Sequence, residues 1–236
     1  MAGVALSWSG GKDSALALRA LREDPATEPV ALLTTFSEDS DRVTVHGVRR
    51  ELVRAQARAT GLPLVEVSLP FPCSAATYGQ RMERALLSPP LDGVETMAFA
   101  DLFLADVRAY REERLASVGR RALFPLWGRD TAALAREFVE AGFEATLVSV
   151  DPSQLDPYFV GRELDRRLLA DLPPGVDPCG ENGEFHTFVH AGPVFDAPIP
   201  FERGEAEMRG GFAFQDLLPA GRAPLSWPGA MGLAPS

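Results

Sequence analysis

Short apolar runs alternate with amphipathic segments along the first half of the chain. Five runs have the length and residue types of buried strands, namely residues 4–6, 30–36, 64–67, 94–99 and 122–127. Four segments between them have the apolar spacing of helices, namely residues 15–21, 48–60, 77–87 and 104–119. Such alternation predicts an α/β fold, with an open, mostly parallel five-stranded sheet and helices on both faces.

The pattern changes after Trp127. A helix is predicted over Thr131–Ala141, a strand over Ala145–Val150 and another helix over Arg162–Leu169. We therefore predict a first domain over residues 1–127 and a smaller α/β domain over residues 128–218, packed over the strand ends. Residues 219–236 are rich in Pro, Gly and Ala, and we expect a poorly ordered tail.

The segment Ser9–Ser14 joins the first strand to the first helix and reads Ser-Gly-Gly-Lys-Asp-Ser. Gly10 and Gly11 can bring backbone N–H groups close to an anion, because they carry no Cβ. The first turn of the helix adds free N–H groups and the positive end of its dipole. Since ligands of open parallel sheets bind at the carboxyl ends of the strands, this loop predicts a phosphate site.

Lys12 is the only lysine of the chain, and the other 22 basic residues are arginines. A compact ammonium suits a tight loop around phosphate better than a wide guanidinium does, although compositional chance is the alternative. Asp13 is a candidate Mg²⁺ ligand, or simply a helix cap. The loop lacks the spacing of a Walker A motif and of a Gly-x-Gly-x-x-Gly motif. We expect it to be exposed, so that Lys12→Ala abolishes AMP formation and leaves the fold intact.

A second polar segment lies at Cys179–His190. Asn182-Gly183 is a strong turn signal, and the alternation that follows it predicts a hairpin. Glu181 and Glu184 flank the turn, and two of the three histidines of the chain follow it. We favour a site that positions a reactant over a hairpin with no further role.

Composition limits the class of protein. Of 236 residues, 46% are hydrophobic and 24% are charged, as in ordinary globular proteins. No apolar stretch approaches a membrane span and no targeting segment is evident, so we expect a cytoplasmic protein without a membrane partner. The net charge of −10, without a basic run longer than a pair, argues against a nucleic-acid partner.

The two motifs carry a resemblance. The loop Ser9–Ser14 resembles the pyrophosphate-binding loop of the PP-loop, or adenine nucleotide alpha hydrolase-like, superfamily, whose members cleave ATP between the α and β phosphates. Together with Cys179–Phe188, it makes the chain similar to the diphthine–ammonia ligase family. Further matching stretches are His46–Val48, Pro125–Trp127 and Gly192–Phe195.

The resemblance implies an ATP-dependent amide ligase that adenylates a carboxylate, releases pyrophosphate and transfers ammonia. Its cofactors would be ATP and Mg²⁺, and the family's acceptor is diphthine, a modified histidine of elongation factor 2. The implied nucleotide-binding residues are Ser9, Gly10, Gly11, Lys12, Asp13, Ser14, Thr35 and Phe36. The implied catalytic residues are Lys12, Asp13, Glu181, Glu184 and His186, and the substrate contacts are His46, Asp101 and Asn182.

The chain departs from the archaeal and eukaryotic members around Phe99–Phe103 and resembles the bacterial branch there. Bacteria generally lack diphthamide, so we expect this chain to share the family's ATP chemistry more closely than its acceptor. The acceptor would be a carboxylate, which a protein could carry. A homodimer is one option for the oligomeric state. The alternatives are a tRNA-modifying sulfurtransferase or lysidine-type enzyme with the same loop, and a non-catalytic ATP-binding protein.

Overall fold

The first half of the chain forms a five-stranded parallel sheet in the order β3-β2-β1-β4-β5. The computed structural model describes residues 1–44 and 46–221. The elements are β1 Ala2–Ser7, α1 Lys12–Glu23, β2 Thr27–Ser37, α2 Arg50–Thr60, β3 Leu64–Leu69, α3 Ala75–Leu86, β4 Thr96–Ala98, α4 Ala105–Ala116 and β5 Arg121–Leu123. The predicted α/β fold is confirmed.

Helices cover both faces of this sheet because alternate side chains of each strand point to opposite sides. Leu6 of β1 packs into a core with Leu18 of α1 and Leu52 of α2. Its neighbour Ala5 joins a separate core with Leu86 of α3 and Leu115 of α4. The carboxyl ends of the strands therefore remain available at one edge of the sheet.

The second half builds an antiparallel sheet in the order β7-β6-β9-β8. Its elements are α5 Thr131–Glu140, β6 Glu144–Val150, a 3-10 turn at Pro157–Phe159, α6 Arg166–Asp171, β7 Phe185–Ala191, β8 Phe201–Arg209 and β9 Phe212–Pro219. The backbone N–H of Val189 in β7 donates to the Gly10 carbonyl at 2.9 Å. This sheet thus reaches the loop that follows β1.

Several boundaries differ from the sequence predictions. Helix α2 begins at Arg50, because the chain before it makes β-bridges, including one between Arg42 and Arg49. Strand β5 ends at Leu123, since Pro125 cannot donate to a ladder. Helix α6 begins at Arg166, because the Asp165 side chain caps its N-terminus. The Asp165 carboxylate accepts a hydrogen bond from the Leu168 backbone N–H at 2.7 Å.

The hairpin predicted around Asn182-Gly183 is wrong. Strand β7 pairs with β6, and the residues just before Asn182 form turns rather than a strand. Most of the predicted tail, from residue 222 onward, lies outside the described residues, and Pro219 ends β9. The division at residue 127 stays a prediction. Among the described residues, no helix has the length and apolar character needed to cross a membrane.

Candidate active site

The loop after β1 is held in place by a buried glutamine. Gly10 has φ +81°, in the left-handed region that favours glycine. The Gln56 amide of α2 donates to the carbonyls of Gly10 at 2.9 Å and Val189 at 2.6 Å. Trp8 donates in turn to the Gln56 side-chain oxygen at 3.0 Å. The anion loop is therefore held by α2 of the first half of the chain and by β7 of the second sheet.

The backbone N–H groups that would bind an anion donate hydrogen bonds to hydroxyl groups of the protein. The N–H of Lys12, in the first turn of α1, donates to the Thr187 hydroxyl at 3.0 Å. The N–H of Gly11 donates to the Ser9 hydroxyl at 3.2 Å, and Ser14 donates back to the Gly11 carbonyl at 2.8 Å. A charged phosphate oxygen is a stronger acceptor than a neutral hydroxyl, so these N–H groups suit phosphate.

Lys12 is buried, with 3% of its surface exposed, so the expectation of an exposed loop is wrong. Its ammonium donates to Asp13 at 2.7 Å and also to the backbone carbonyl of Cys179. Burial by itself lowers the pKa of Lys12, but Asp13, together with Cys179 and Glu181, outweighs this effect and leaves the pKa raised. Lys12 therefore keeps its positive charge although its side chain is buried.

Asp13 has the features of a cation ligand that works together with phosphate. Its Oδ2 accepts from Lys12, whereas its buried Oδ1 has no hydrogen-bond partner. Burial raises the pKa of this carboxyl, and Lys12 opposes the increase. Mg²⁺ in nucleotide sites is usually held by one or two carboxylates and by phosphate oxygens, so Oδ1 fits that role.

A cleft of about 560 Å³ opens beside the loop at the carboxyl edge of the sheet. Most of the side chains predicted for the site line it, namely Ser9, Lys12, Asp13, Ser14, Thr35, His46, Asp101, Glu181 and His186. Phe36 does not line the cleft, because its ring is fully buried in the core. The Arg50 guanidinium carbon lies over that ring, 4.3 Å from its centroid. Residues 35 and 36 of one strand point to opposite faces, so only Thr35 reaches the cleft.

The two glutamates of the second motif have different environments. Glu184 is buried and accepts three hydrogen bonds at 3.0 Å, one from the Asp177 N–H and two from the Asn182 backbone and side chain. Its carboxylate thus shapes the loop and, through it, positions Glu181. Glu181 accepts from the Leu102 N–H at 2.7 Å, and burial raises its pKa to about 7.

His46 and His186 lie against each other in the lining of the cleft, with ring centroids 4.5 Å apart and the ring planes tilted by 33°. Burial lowers the pKa of His46 to about 4 and that of His186 well below its ordinary value. The nearby Lys12 charge acts in the same direction on both rings. Both imidazoles are therefore neutral at neutral pH and can serve as hydrogen-bonding partners.

Asp101 follows β4 and forms an ion pair with Arg111 of α4 at 2.7 Å. The Arg111 guanidinium also lies over the Phe99 ring at 4.3 Å.

Sequence reasoning did not anticipate the part played by Gln56, although a polar residue on the apolar face of α2 was a usable signal. It also missed Thr187, whose contact with the loop only the packing of β7 reveals.

The fold and the loop define a class: an α/β protein of the adenine nucleotide alpha hydrolase type, with an anion loop after its first strand. Comparison with family models supports this class. Residues 1–122 match the model described as "Diphthamide synthase N-terminal domain", and residues 130–217 match "Diphthamide synthase C-terminal domain". The chain belongs to the diphthamide synthase family.

Curated relatives are named diphthine–ammonia ligase. The Danio rerio protein is 33% identical over 130 residues, an alignment that spans 52% of this chain and 49% of that protein. The Rattus norvegicus protein is 27% identical over 240 residues, or 89% of this chain and 87% of that protein. In Schizosaccharomyces pombe the identity is 26% over 213 residues, covering 81% of this chain but 34% of that protein. These findings confirm the ligase class predicted from the motifs.

Proposed function

We propose that the protein is an ATP-dependent amide ligase, which activates a carboxylate as an acyl adenylate and transfers ammonia to it. The observation that carries this proposal is Lys12, buried within the anion loop and lining the same cleft as Glu181. Its membership of a family whose relatives are named diphthine–ammonia ligase supports the same class of reaction.

The loop would bind the phosphates of ATP. The N–H groups of Gly11 and Lys12 lie at the start of α1, where they now donate to hydroxyl groups, and the Lys12 ammonium adds a fixed charge. Such preformed donors stabilise the charge that develops on the α-phosphate and on departing pyrophosphate, since they need no reorganisation during the reaction. Asp13 Oδ1 would hold Mg²⁺ against the same phosphates, and the cation would neutralise part of that charge.

The acceptor is proposed as a carboxylate that enters from the side of Glu181 and His186. The relatives' names specify diphthine, and elongation factor 2 that carries diphthine is therefore the first acceptor to test. The departing segment Phe99–Phe103 includes Asp101, which lines the cleft. For this reason we include free carboxylates among the candidates. We place the reaction in the cytoplasm.

Pyrophosphate release tests the proposal. Purified protein with ATP and Mg²⁺ is assayed with each acceptor, in the presence and absence of ammonium. We expect pyrophosphate and AMP in equal amounts, and a rate that depends on both acceptor and ammonium. Turnover that requires tRNA but not ammonium would favour the tRNA-modifying alternative, and tight ATP binding without AMP under every condition would favour a nucleotide-binding protein.

A further inference from the structure

A second cavity of about 1080 Å³ adjoins the cleft. Its walls come from the β2–α2 loop, the β3–α3 loop and the β8–β9 turn, and they include the apolar side chains Leu69, Phe71, Phe212 and Phe214. Of the residues that the structure describes, seven line both cavities, namely Val43, Thr44, Leu69, Leu104, Glu181, Gly183 and His186. This shared lining is the junction of the two spaces.

The junction is the place where an acyl adenylate would react. If the proposed function holds, the AMP part occupies the cleft beside Lys12, and the acyl part extends into the second cavity. The carbonyl carbon between the two parts must then lie at the shared lining. Ammonia has to attack that carbon, so its binding site must also lie at the junction.

Glu181 is the one carboxylate, among the residues that the structure describes, that lines both cavities. The Leu102 N–H fixes its Oε1 at 2.7 Å and leaves Oε2 for a reactant. Glu184 is unsuited to this task, because three hydrogen bonds already use its two oxygens. Of the described residues, His186 is the other titratable one at the junction, and burial lowers its pKa well below the ordinary value, which favours the neutral ring.

We propose that Glu181 binds the ammonium ion at this junction and acts as the general base that converts it into the attacking ammonia. One N–H proton passes to the Glu181 carboxylate. The freed nitrogen lone pair forms the C–N bond, and the C–O bond to the α-phosphate breaks as AMP leaves with that electron pair. A second proton leaves the nitrogen to solvent, which gives the neutral amide.

The charged groups around Glu181 agree with a cation-binding role. Helix α1 contributes Asp13 and Lys12, and Asp101 follows β4 with Arg111 of α4 as its partner. Asp13 and Asp101 each favour positive charge at this position, and Lys12 opposes it. A base whose pKa lies near 7 is also suited to accept and release a proton at neutral pH.

The test compares two nucleophiles in a Glu181→Gln variant. The amide oxygen of glutamine can still accept from Leu102, so the loop is retained, whereas the base is lost. Hydroxylamine is already neutral at neutral pH and needs no such base. With an acceptor that supports turnover, we expect the ammonium-dependent rate to fall by ~10²–10⁴-fold, the usual contribution of a general base. Hydroxamate formation should change by only a few-fold.

Glu113→Gln is the matched control, because Glu113 is exposed on α4 and lines neither cavity. It should leave both rates unchanged. An equal loss with both nucleophiles, or retained amide formation, would overturn the role of Glu181 while leaving the ligase proposal intact. Absence of acceptor-dependent pyrophosphate release from the wild-type protein would instead contradict the proposed function.

Thallium(I), an ammonium-sized cation with strong anomalous scattering, gives a readout that requires no acceptor. In crystals of the wild-type protein soaked with thallium(I), we expect an anomalous peak in contact with the Glu181 carboxylate. The peak should be lost in Glu181→Gln crystals and retained in Glu113→Gln crystals. A thallium peak only at other positions in the cleft, or no thallium peak in the cleft at all, would refute an ammonium site at Glu181.

Discussion

Replacing Glu181 by glutamine should stabilise the protein at alkaline pH. Burial raises the pKa of this carboxyl from its ordinary 4.5 to about 7, which means that folding favours the protonated form. Below pH 4.5 the group is protonated in both states, and the folded state bears no cost. As the pH rises from 4.5 to about 7, the unfolded chain loses this proton while the folded protein retains it, and the free energy of unfolding falls. Above pH 7 the folded protein carries a partly buried charge, and the loss of stability is complete.

The size of the effect follows from the same values. A tenfold change in proton affinity corresponds to about 1.4 kcal/mol, so a change from 4.5 to about 7 gives at most ~3 kcal/mol. Glu181 retains some contact with solvent, which screens its charge, and we reduce the expected value to ~1–2 kcal/mol. For a chain of this size, that corresponds to an increase of ~2–8 °C in Tm at pH 8.

Thermal unfolding of the wild type and of Glu181→Gln, measured from pH 5 to pH 8, checks this reasoning. The difference in Tm should grow with pH, and Glu113→Gln should show no such trend. A difference that is constant across this range would mean that the substitution acts through packing. A variant less stable than the wild type at pH 8 would refute the raised pKa.

Three further predictions concern the anion loop. Lys12→Met should abolish AMP formation and also destabilise the protein by ~3–5 kcal/mol in urea unfolding, because it leaves the Asp13 carboxylate buried without its cation. Gly10→Ala should raise the KM for ATP, since a Cβ there would lie 2.6 Å from Gln56 Oε1. Gly93→Ala, with a similar φ of +79° and open space around it, should show the backbone strain alone and an unchanged KM. Asp13→Asn should increase the Mg²⁺ concentration needed for half-maximal turnover, and an unchanged Mg²⁺ dependence would exclude Asp13 as a ligand.

Much of the first sheet was predictable because the signals are local. Apolar strand runs, amphipathic helices and glycine ends are set within a few residues, and Gly61 ends α2 with φ +73° as expected. The Asn182-Gly183 turn shows the limit of such signals. It was predicted as a hairpin, yet the Glu184 carboxylate draws this segment into a loop, and β7 pairs with a strand from further back in the chain.

The sequence by itself determined the parallel α/β architecture, the glycine–lysine loop at the end of β1 and the family to which the chain is similar. Only the tertiary structure decided what each polar side chain does. Lys12 is buried where a carbonyl 167 residues away in the chain accepts a hydrogen bond from its ammonium, and Glu181 differs from Glu184 because the two meet different partners. Spacing along a chain fixes local backbone geometry, whereas burial and charge depend on groups that only folding brings together.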